Sequence, residues 1–328
     1  MLLWDPTPEA FRQAEDYYQQ VLMRCKQAHT AEPSFENLRR VAIAYNRLGD
    51  LCKKKLSHEG NAQAERWYQE KLDLVEKYYQ NNPCYESRRD LAITYTCLGD
   101  LAKRKRTPEA GAQAAQWYQK ALPMKEQNYQ DNPCYESRRD LSISYTDLGD
   151  LAERKQTRSG DAQAEQWYQK SLELQKQNHL LNPCYESRRG LSALYNRMGD
   201  LVRKKQDKNR DAQAEQWYLK MLTVSEENYH ADPCYDSRRS LANAYVNLGN
   251  IAKRKQTPDG DIQAEQWYLK MLTMNEQNYQ SNPCSQSLRQ LTIVYNLLEF
   301  IAQRKGTPEG DLEAARWREK YTALDYHW

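Results

Sequence analysis

Ten residues, NPCYESRRDL, occupy Asn82–Leu91, return unchanged at Asn132–Leu141, and return with one change at Asn182–Leu191. Rows of fifty residues align along the chain without a gap. A period that strict means each unit meets its neighbours in the same way. The chain must therefore form an array in which each repeat packs on the next, with no single central core. A length of 328 residues would by itself suggest two ordinary domains, and the repeat displaces that expectation.

The spacing inside a row is helical. One column reads Ala14, Ala64, Ala114, Ala164, Ala214, Ala264, Ala314; three places on it reads Tyr17, then Trp67, Trp117, Trp167, Trp217, Trp267, Trp317. The next holds Tyr18, Tyr68, Tyr118, Tyr168, Tyr218, Tyr268 and then Arg318, and four places later come Leu22 to Leu272 and then Thr322. Steps of three and four define one face of a helix, termed B. Leu91, Tyr95, Leu98, Gly99 and Ala102, with their counterparts, define a second helix, termed A. Glycines 49, 99, 149, 199 and 249 fall inside helix A, where each costs about 1 kcal/mol against alanine. That cost is tolerable where another helix must come close. The Trp and Tyr columns are expected to be core, each aromatic worth about 1.5–3 kcal/mol on burial.

Punctuation separates the helices. Asn-Pro or Asp-Pro at 82–83, 132–133, 182–183, 232–233 and 282–283 predicts a cap residue followed by proline at the first position of helix A. Thr107-Pro108, Thr257-Pro258 and Thr307-Pro308 open helix B in the same manner, and Lys103-Arg104-Lys105 suits the C-terminal end of helix A. The pattern predicts a lone helix B followed by six A–B pairs, thirteen helices of roughly 20–23 residues each. Pro123 lies inside a helix B and should kink it.

LAITYTCLGDLAKRK followed by AQAAQWYQKAL resembles the tetratricopeptide repeat: Tyr95, Leu98 and Gly99 in the first helix, then Ala114, Tyr118, Ala121 and Leu122 in the second. The match recurs from about residue 9 to the end. The family's usual unit has about 34 residues, and this one is longer by additions to both helices and the turn between them. Among its members the chain is most similar to long-repeat bacterial proteins carrying stretches such as Arg139–Asp150. The resemblance implies an all-α, right-handed α-solenoid of antiparallel helix pairs, with helices A lining its inner groove. The expected organisation is one solenoid over 1–328: a capping helix B at 1–32, five central repeats at 33–282, and an atypical capping repeat at 283–328. Leu298-Glu299-Phe300 replaces Leu-Gly-Asp in that last row, and polar residues there suit a face with no repeat beyond it. Met1-Leu2-Leu3-Trp4 is expected to cover the other end, giving a complete array.

Composition narrows the function classes. Charged residues are 28%, mean hydropathy is −1.03 and net charge is +3, a balance unlike that of a dedicated nucleic-acid binder. No apolar run approaches the ~18 residues of a membrane span, and MLLWDPTPEAF is no secretory signal; a cytoplasmic location is the default. Five of eight cysteines form a column, Cys84, Cys134, Cys184, Cys234 and Cys284. Equivalent atoms of stacked helices lie roughly 10 Å or more apart, beyond the Cα separation of about 7 Å a disulfide tolerates, so they should stay unpaired. Each is either a small side chain in a tight joint or a thiol acidified at a helix start. The five histidines, His29, His58, His179, His230 and His327, form no catalytic or metal constellation, and two of them stand in a tyrosine column. No enzyme activity, cofactor or metal is expected.

The arginines carry the candidate site. One column reads Arg39, Arg89, Arg139, Arg189, Arg239 and Arg289; the column before it reads Leu38, Arg88, Arg138, Arg188, Arg238, Leu288. Helical spacing places Arg89 on the stripe of Ile93, Thr96, Asp100, Lys103 and Arg104, and the resemblance implies that this stripe faces the groove. A ladder of guanidinium groups would suit bidentate capture of carboxylates or phosphates. The candidate groove set adds Asn46, Asn196 and Asn296 as hydrogen-bonding groups for a bound backbone. It also includes Lys103, Arg104, Arg154, Arg203, Lys204, Lys253 and Arg254 at the ends of helices A. Two other readings stay open. The arginines can be ion-paired structurally, within a helix or between repeats, or they can be surface residues copied with their unit. The functional expectation is a non-enzymatic protein-interaction scaffold or adaptor that holds a protein or peptide partner through acidic groups. The alternatives are RNA or single-stranded DNA binding, with Lys55, Lys105, Lys155, Lys205, Lys255 and Lys305 on phosphates, and self-assembly of solenoid copies through Trp328 or the lengthened edge.

Overall fold

The computed structural model describes residues 8–205 and 207–325. Among them are thirteen helices and no strand: α1 (Pro8–Ala31), α2 (Phe35–Lys54), α3 (His58–Asn81), α4 (Tyr85–Arg104), α5 (Pro108–Asp131), α6 (Tyr135–Glu153), α7 (Arg158–Leu181), α8 (Tyr185–Lys204), α9 (Arg210–Ala231), α10 (Tyr235–Arg254), α11 (Pro258–Ser281), α12 (Ser285–Arg304) and α13 (Pro308–Asp325). Even-numbered helices are type A and odd-numbered ones type B. The uniform length predicted from sequence splits into two classes: α4 has 20 residues and α5 has 24. The residues group into two compact units, 8–174 and 175–325, the division falling within α7. Met1–Trp4 and Trp328, to which the sequence reading assigned covering and docking roles, lie outside the described residues.

Each A–B pair is locked by one contact. The tyrosine of helix B lies on the glycine of the preceding helix A and donates its hydroxyl to the residue after that glycine. Tyr68 bonds Asp50 Oδ1 at 2.7 Å, Tyr118 bonds Asp100 at 2.7 Å and Tyr168 bonds Asp150 at 2.8 Å in the first unit. Tyr218 bonds Asp200 at 2.8 Å and Tyr268 bonds Asn250 at 2.9 Å in the second. All five rings are essentially without solvent contact. The Leu-Gly-Asp motif thus supplies an apolar anchor, a ring-sized gap and an acceptor. The last pair departs from this rule at both positions together: Glu299 stands for the glycine, Arg318 for the tyrosine, and the two form an ion pair at 2.6 Å.

The Asn-Pro pairs do not cap helix A as predicted. Asn82 closes α3, its amide bonding Tyr78 O, and the N-cap of α4 is Cys84. Ser87, three residues on, is the buried fulcrum of this joint. Its Oγ accepts the Cys84 amide at 3.0 Å and lies 2.7 Å from the Asn82 carbonyl. The same arrangement recurs at Ser137, Ser187, Ser237 and Ser287. Proline here lies between helices, because a free amide at the true N-cap is needed for Ser87. All eight cysteines are free thiols.

Helix B opens as the Thr-Pro dipeptides predict. Thr107 Oγ1 accepts the Ala110 amide and Thr257 Oγ1 the Gly260 amide, with proline at the first turn. The residue before each such cap enters the left-handed region at Leu56, Arg106, Gln156, Gln256 and Gly306. α5 runs unbroken through Pro123, where the sequence predicted a kink. The proline ring leaves the Gln119 carbonyl without the amide that would ordinarily bond it.

Gly99 tests the locking contact. A Cβ there would lie 2.5 Å from Tyr118 Cε1, and the ring cannot yield while its hydroxyl is held by Asp100. Helix propensity alone would make Gly99→Ala stabilising by about 1 kcal/mol. Overpacking is expected to win and destabilise by about 1–3 kcal/mol. Thermal unfolding measures the sign: an unchanged or raised Tm would show that the tyrosine does not depend on the gap.

Candidate functional site

The two arginines of each NPCYESRRDL segment leave helix A in different directions. At Arg88, Arg188 and Arg238 the first turns back to its own helix B, while Arg138 donates to the Pro133 carbonyl. Arg88 Nη1 bonds Asp131 Oδ2 at 2.7 Å, Arg188 Nε bonds Asn228 at 3.0 Å and Arg238 Nε bonds Asn278 at 2.7 Å. It clips the far end of the hairpin. The second reaches along the array toward the next helix A. In the first unit Arg39 Nε meets Asp90 at 3.1 Å, and Arg89 Nε meets Asp140. These pairs are half-buried. Arg89 is held above its ordinary pKa first by the hydrogen bond to Asp140. Burial pushes the Asp90 carboxyl up, against the lowering pull of Arg39 and Lys71.

The arginine column continues unchanged, but its acidic partner column does not. Asp90 and Asp140 give way to Gly190, Ser240 and Gln290. Correspondingly Arg39 and Arg89 are half-buried, whereas Arg139, Arg189, Arg239 and Arg289 are exposed. Among the described residues Arg139, Arg239 and Arg289 form no ion pair, and Arg189 reaches only Glu186 of its own helix, at 3.8 Å with both side chains largely in solvent. In the second unit Arg189 and Arg239 flank a cleft of about 240 Å³ between α8 and α10, with Tyr185, Ser192, Asn196 and Asn243 on its walls and Met221 among its lining residues. Asp236 also lines it, so the cleft is cationic without being purely so. Ser192, Ser225 and Ser240 form a closed set of hydroxyl contacts of 2.8–3.0 Å beneath it. Those contacts fix the wall between the two arginines.

The remaining predicted residues divide sharply. Asn46 is occupied, donating to Asp50 at 2.8 Å and accepting from the buried Lys71 at 2.9 Å. Asn196 accepts from Asn247 at 2.6 Å and donates to Asp200 at 3.1 Å, while Asn296 is exposed. Lys103 sits among three carboxylates, Asp147 at 3.0 Å, Asp150 at 3.7 Å and Asp100 at 3.8 Å. Arg203 pairs with Asp200 at 3.2 Å and Arg254 with Asp211 at 3.1 Å. Lys253 lies over the Phe300 ring, and Arg154 donates to the Lys103 carbonyl at 2.7 Å. Arg104 is half-buried and Lys204 exposed. The lysine row set aside for phosphates is largely paired with the preceding helix B. Lys55 meets Glu15 at 2.9 Å, Lys105 meets Glu65 at 3.1 Å, Lys255 meets Glu215 at 3.9 Å and Lys305 meets Glu265 at 3.0 Å.

Two further columns differ from expectation. The tryptophans are half-buried, whereas the adjacent tyrosines form the core. Trp117, Trp167, Trp217 and Trp267 each stack on a helix A tyrosine at 5.5–5.9 Å and carry a lysine over the outer face at 4.4–4.8 Å. Among the column cysteines Cys134 is distinctive. Burial raises its thiol, but the Ser137 amide and hydroxyl and the Tyr85 hydroxyl outweigh that and leave it below the ordinary value. Tyr85 lies 3.7 Å from its sulfur, a contact between successive repeats.

Sequence reasoning missed Tyr185, Ser192, Asn243 and the meaning of positions 190, 240 and 290. The signal was present: a column that changes from acid to neutral beside an arginine column that does not change.

No protein-family model matches this sequence, and no curated protein does. Among solved structures, two of the S. pombe nuclear import adaptor Nro1 are similar. One is 10% identical with a TM-score of 0.54, covering 95% of this chain and 93% of that one; the other is 10% identical with a TM-score of 0.55, covering 86% and 92%. At that identity the likeness is one of fold, and the class it defines is the α-helical repeat protein. No described helix is long and apolar enough to cross a membrane.

The Lys103 cluster predicts a pH response. Three carboxylates share one ammonium, and Asp147 is buried; burial first, then the Asp100 charge, push its carboxyl up to about 6 from 3.8. The folded state then holds a proton that the unfolded chain releases at lower pH. The contribution of this group to stability is therefore full below about pH 4 and lost as pH rises to about 6. Asp147→Asn should remove that loss. The variant's Tm relative to wild type is expected to rise between those pH values, and a difference independent of pH would contradict the assignment.

Proposed function

We propose that the chain is a non-enzymatic protein-binding scaffold of tetratricopeptide type, and that it engages acidic groups of a protein or peptide partner with the helix A arginines from Arg139 onward. The observation that carries this is the parting of two columns. Arginine is kept in six rows, whereas its inter-repeat acid is present only for the first two. If these arginines served only to join repeats, those from Arg139 onward would have no acid of the next helix A left to join. Exposed guanidinium groups flanking a cleft are suited to carboxylates, which they can bind bidentately. Asn243 and Tyr185 add hydrogen-bonding groups, and the paired Arg39 and Arg89 serve as joints in the same ladder. Protein binding also accords with the Nro1 fold, since that protein is a nuclear import adaptor. The lysine row offers less to a nucleic acid, because Lys55, Lys105, Lys255 and Lys305 are already met by carboxylates and a phosphate chain would have to displace them.

Fluorescence anisotropy with a labelled oligoglutamate peptide provides the test. Arg189→Glu with Arg239→Glu is expected to weaken binding by about tenfold or more, the loss of one or two charge-assisted contacts. Arg39→Gln with Arg89→Gln should lower Tm and leave affinity within about twofold of wild type. Equal affinity for wild type and the Glu variant would overturn the reading.

A further inference from the structure

A second cleft lies away from the arginine ladder, in the first unit, where the turn between α4 and α5 meets the end of α6. Its volume is about 900 Å³, within the range of small-ligand and side-chain pockets. Pro108, Gly111, Ala112, Ala115 and Leu151 give its apolar lining, and Arg106, Arg154 and Lys155 its exposed cations. Lys103 also lines it, but its charge is already met by the Asp100, Asp147 and Asp150 carboxylates. No carboxylate lines the cleft.

The cleft exists because this repeat lacks two acids that its neighbours have. Position 111 is aspartate in the next four rows, and position 115 is glutamate in the row before and the three after. Where present, those acids receive the cations at the end of the following helix A. Asp211 takes Arg254, Asp261 takes Arg304, Glu65 takes Lys105 and Glu265 takes Lys305. By the same register Arg154 and Lys155 fall opposite Gly111 and Ala115 and have no carboxylate. Arg154 donates to a backbone carbonyl, and Lys155 reaches only Gln163 at 3.3 Å. An added Cβ at Gly111 would meet nothing within 4 Å, so the space the acid would fill is open.

The geometry points to a docking pocket for an acidic peptide segment of a partner in which a bulky apolar side chain adjoins a carboxylate. The apolar side chain would occupy the lining of small residues, and the carboxylate would take the place of the missing Asp and Glu against Arg154 and Lys155. Apolar depth and uncompensated charge lie side by side, and neither a neutral hydrophobic segment nor a purely acidic one uses both. The pocket is separate from the Arg189–Arg239 cleft, and binding here does not depend on that site.

The test restores the repeat pattern. Gly111→Asp with Ala115→Glu should fill the cleft and pair both cations, so Tm is expected to hold or rise. Anisotropy would be measured on the full chain with a labelled peptide of alternating Asp and Phe, and with its Asn-Phe and Asp-Ser counterparts. Wild type is expected to bind the Asp-Phe peptide about tenfold or more tightly than either counterpart, equivalent to about 1.4 kcal/mol. The restored variant should lose that preference, and Arg189→Glu with Arg239→Glu should keep it. Equal affinity of wild type and the restored variant for the Asp-Phe peptide would overturn the assignment. So would equal binding of the Asp-Ser peptide, which would reduce the site to a cationic patch.

Discussion

A tyrosine ring resting on a glycine, with its hydroxyl on the neighbouring aspartate, is the contact on which the rest of each repeat depends. The glycine lets two helices approach to the thickness of a ring. The ring then carries a polar atom into the interior, and the aspartate meets it there at 2.7–2.8 Å. Buried polar groups are tolerated only when bonded in this way. Because the acceptor follows the gap directly in sequence, one three-residue motif fixes both the separation and the rotation of the pair. Glu299 and Arg318 exchange both partners at once and keep the contact as an ion pair.

Around that lock, polar contacts add to the apolar clusters that run from one repeat into the next, such as the one joining Ala42, Leu72, Leu98 and Ala121. Ser87 and its equivalents close the joint between B and A helices. The first arginine clips a hairpin at Arg88, Arg188 and Arg238, and the second, where an acid is available, ties one helix A to the next. Such ion pairs are worth little individually at a surface, about 0–1 kcal/mol. Their value here is register: they specify which residues of adjacent repeats face one another. Mean hydropathy is −1.03, so polar side chains are abundant, and directional contacts among them add specificity to the apolar packing.

The two binding surfaces proposed above rest on exceptions to this pairing. Wherever a column of acids is interrupted while the facing cations persist, charge is left over. It happens along helix A after Asp140, and at the α4–α5 turn through Gly111 and Ala115. In both places the cations remain positioned by their own helices, so the acidic group of the proposed partner would meet donors already fixed in space. Lys103 is the opposite case, a cation surrounded by more acid than it can neutralise; burial first, and then the neighbouring Asp100 charge, make Asp147 hold its proton to a higher pH.

Sequence by itself determined the period, the helix pairs, the capped Thr-Pro starts and the glycine gaps, because these depend on residues close together along the chain. It misplaced the Asn-Pro boundary, since Asn82 is an ordinary capping residue and only the bonds of Ser87 to the Cys84 amide and the Asn82 carbonyl start the helix after Cys84. It also placed tryptophan in the core beside tyrosine, because adjacent residues on a helix differ by about 100° of rotation and either can face inward. The partners of the arginines were beyond it. Arg89 and Asp140 stand fifty-one residues apart, and their meeting is set by how one hairpin seats on the next. Only the tertiary structure decided which cations are spent on joining repeats and which are left facing solvent, because charge neutralisation acts through space and the register of packed helices chooses the neighbours.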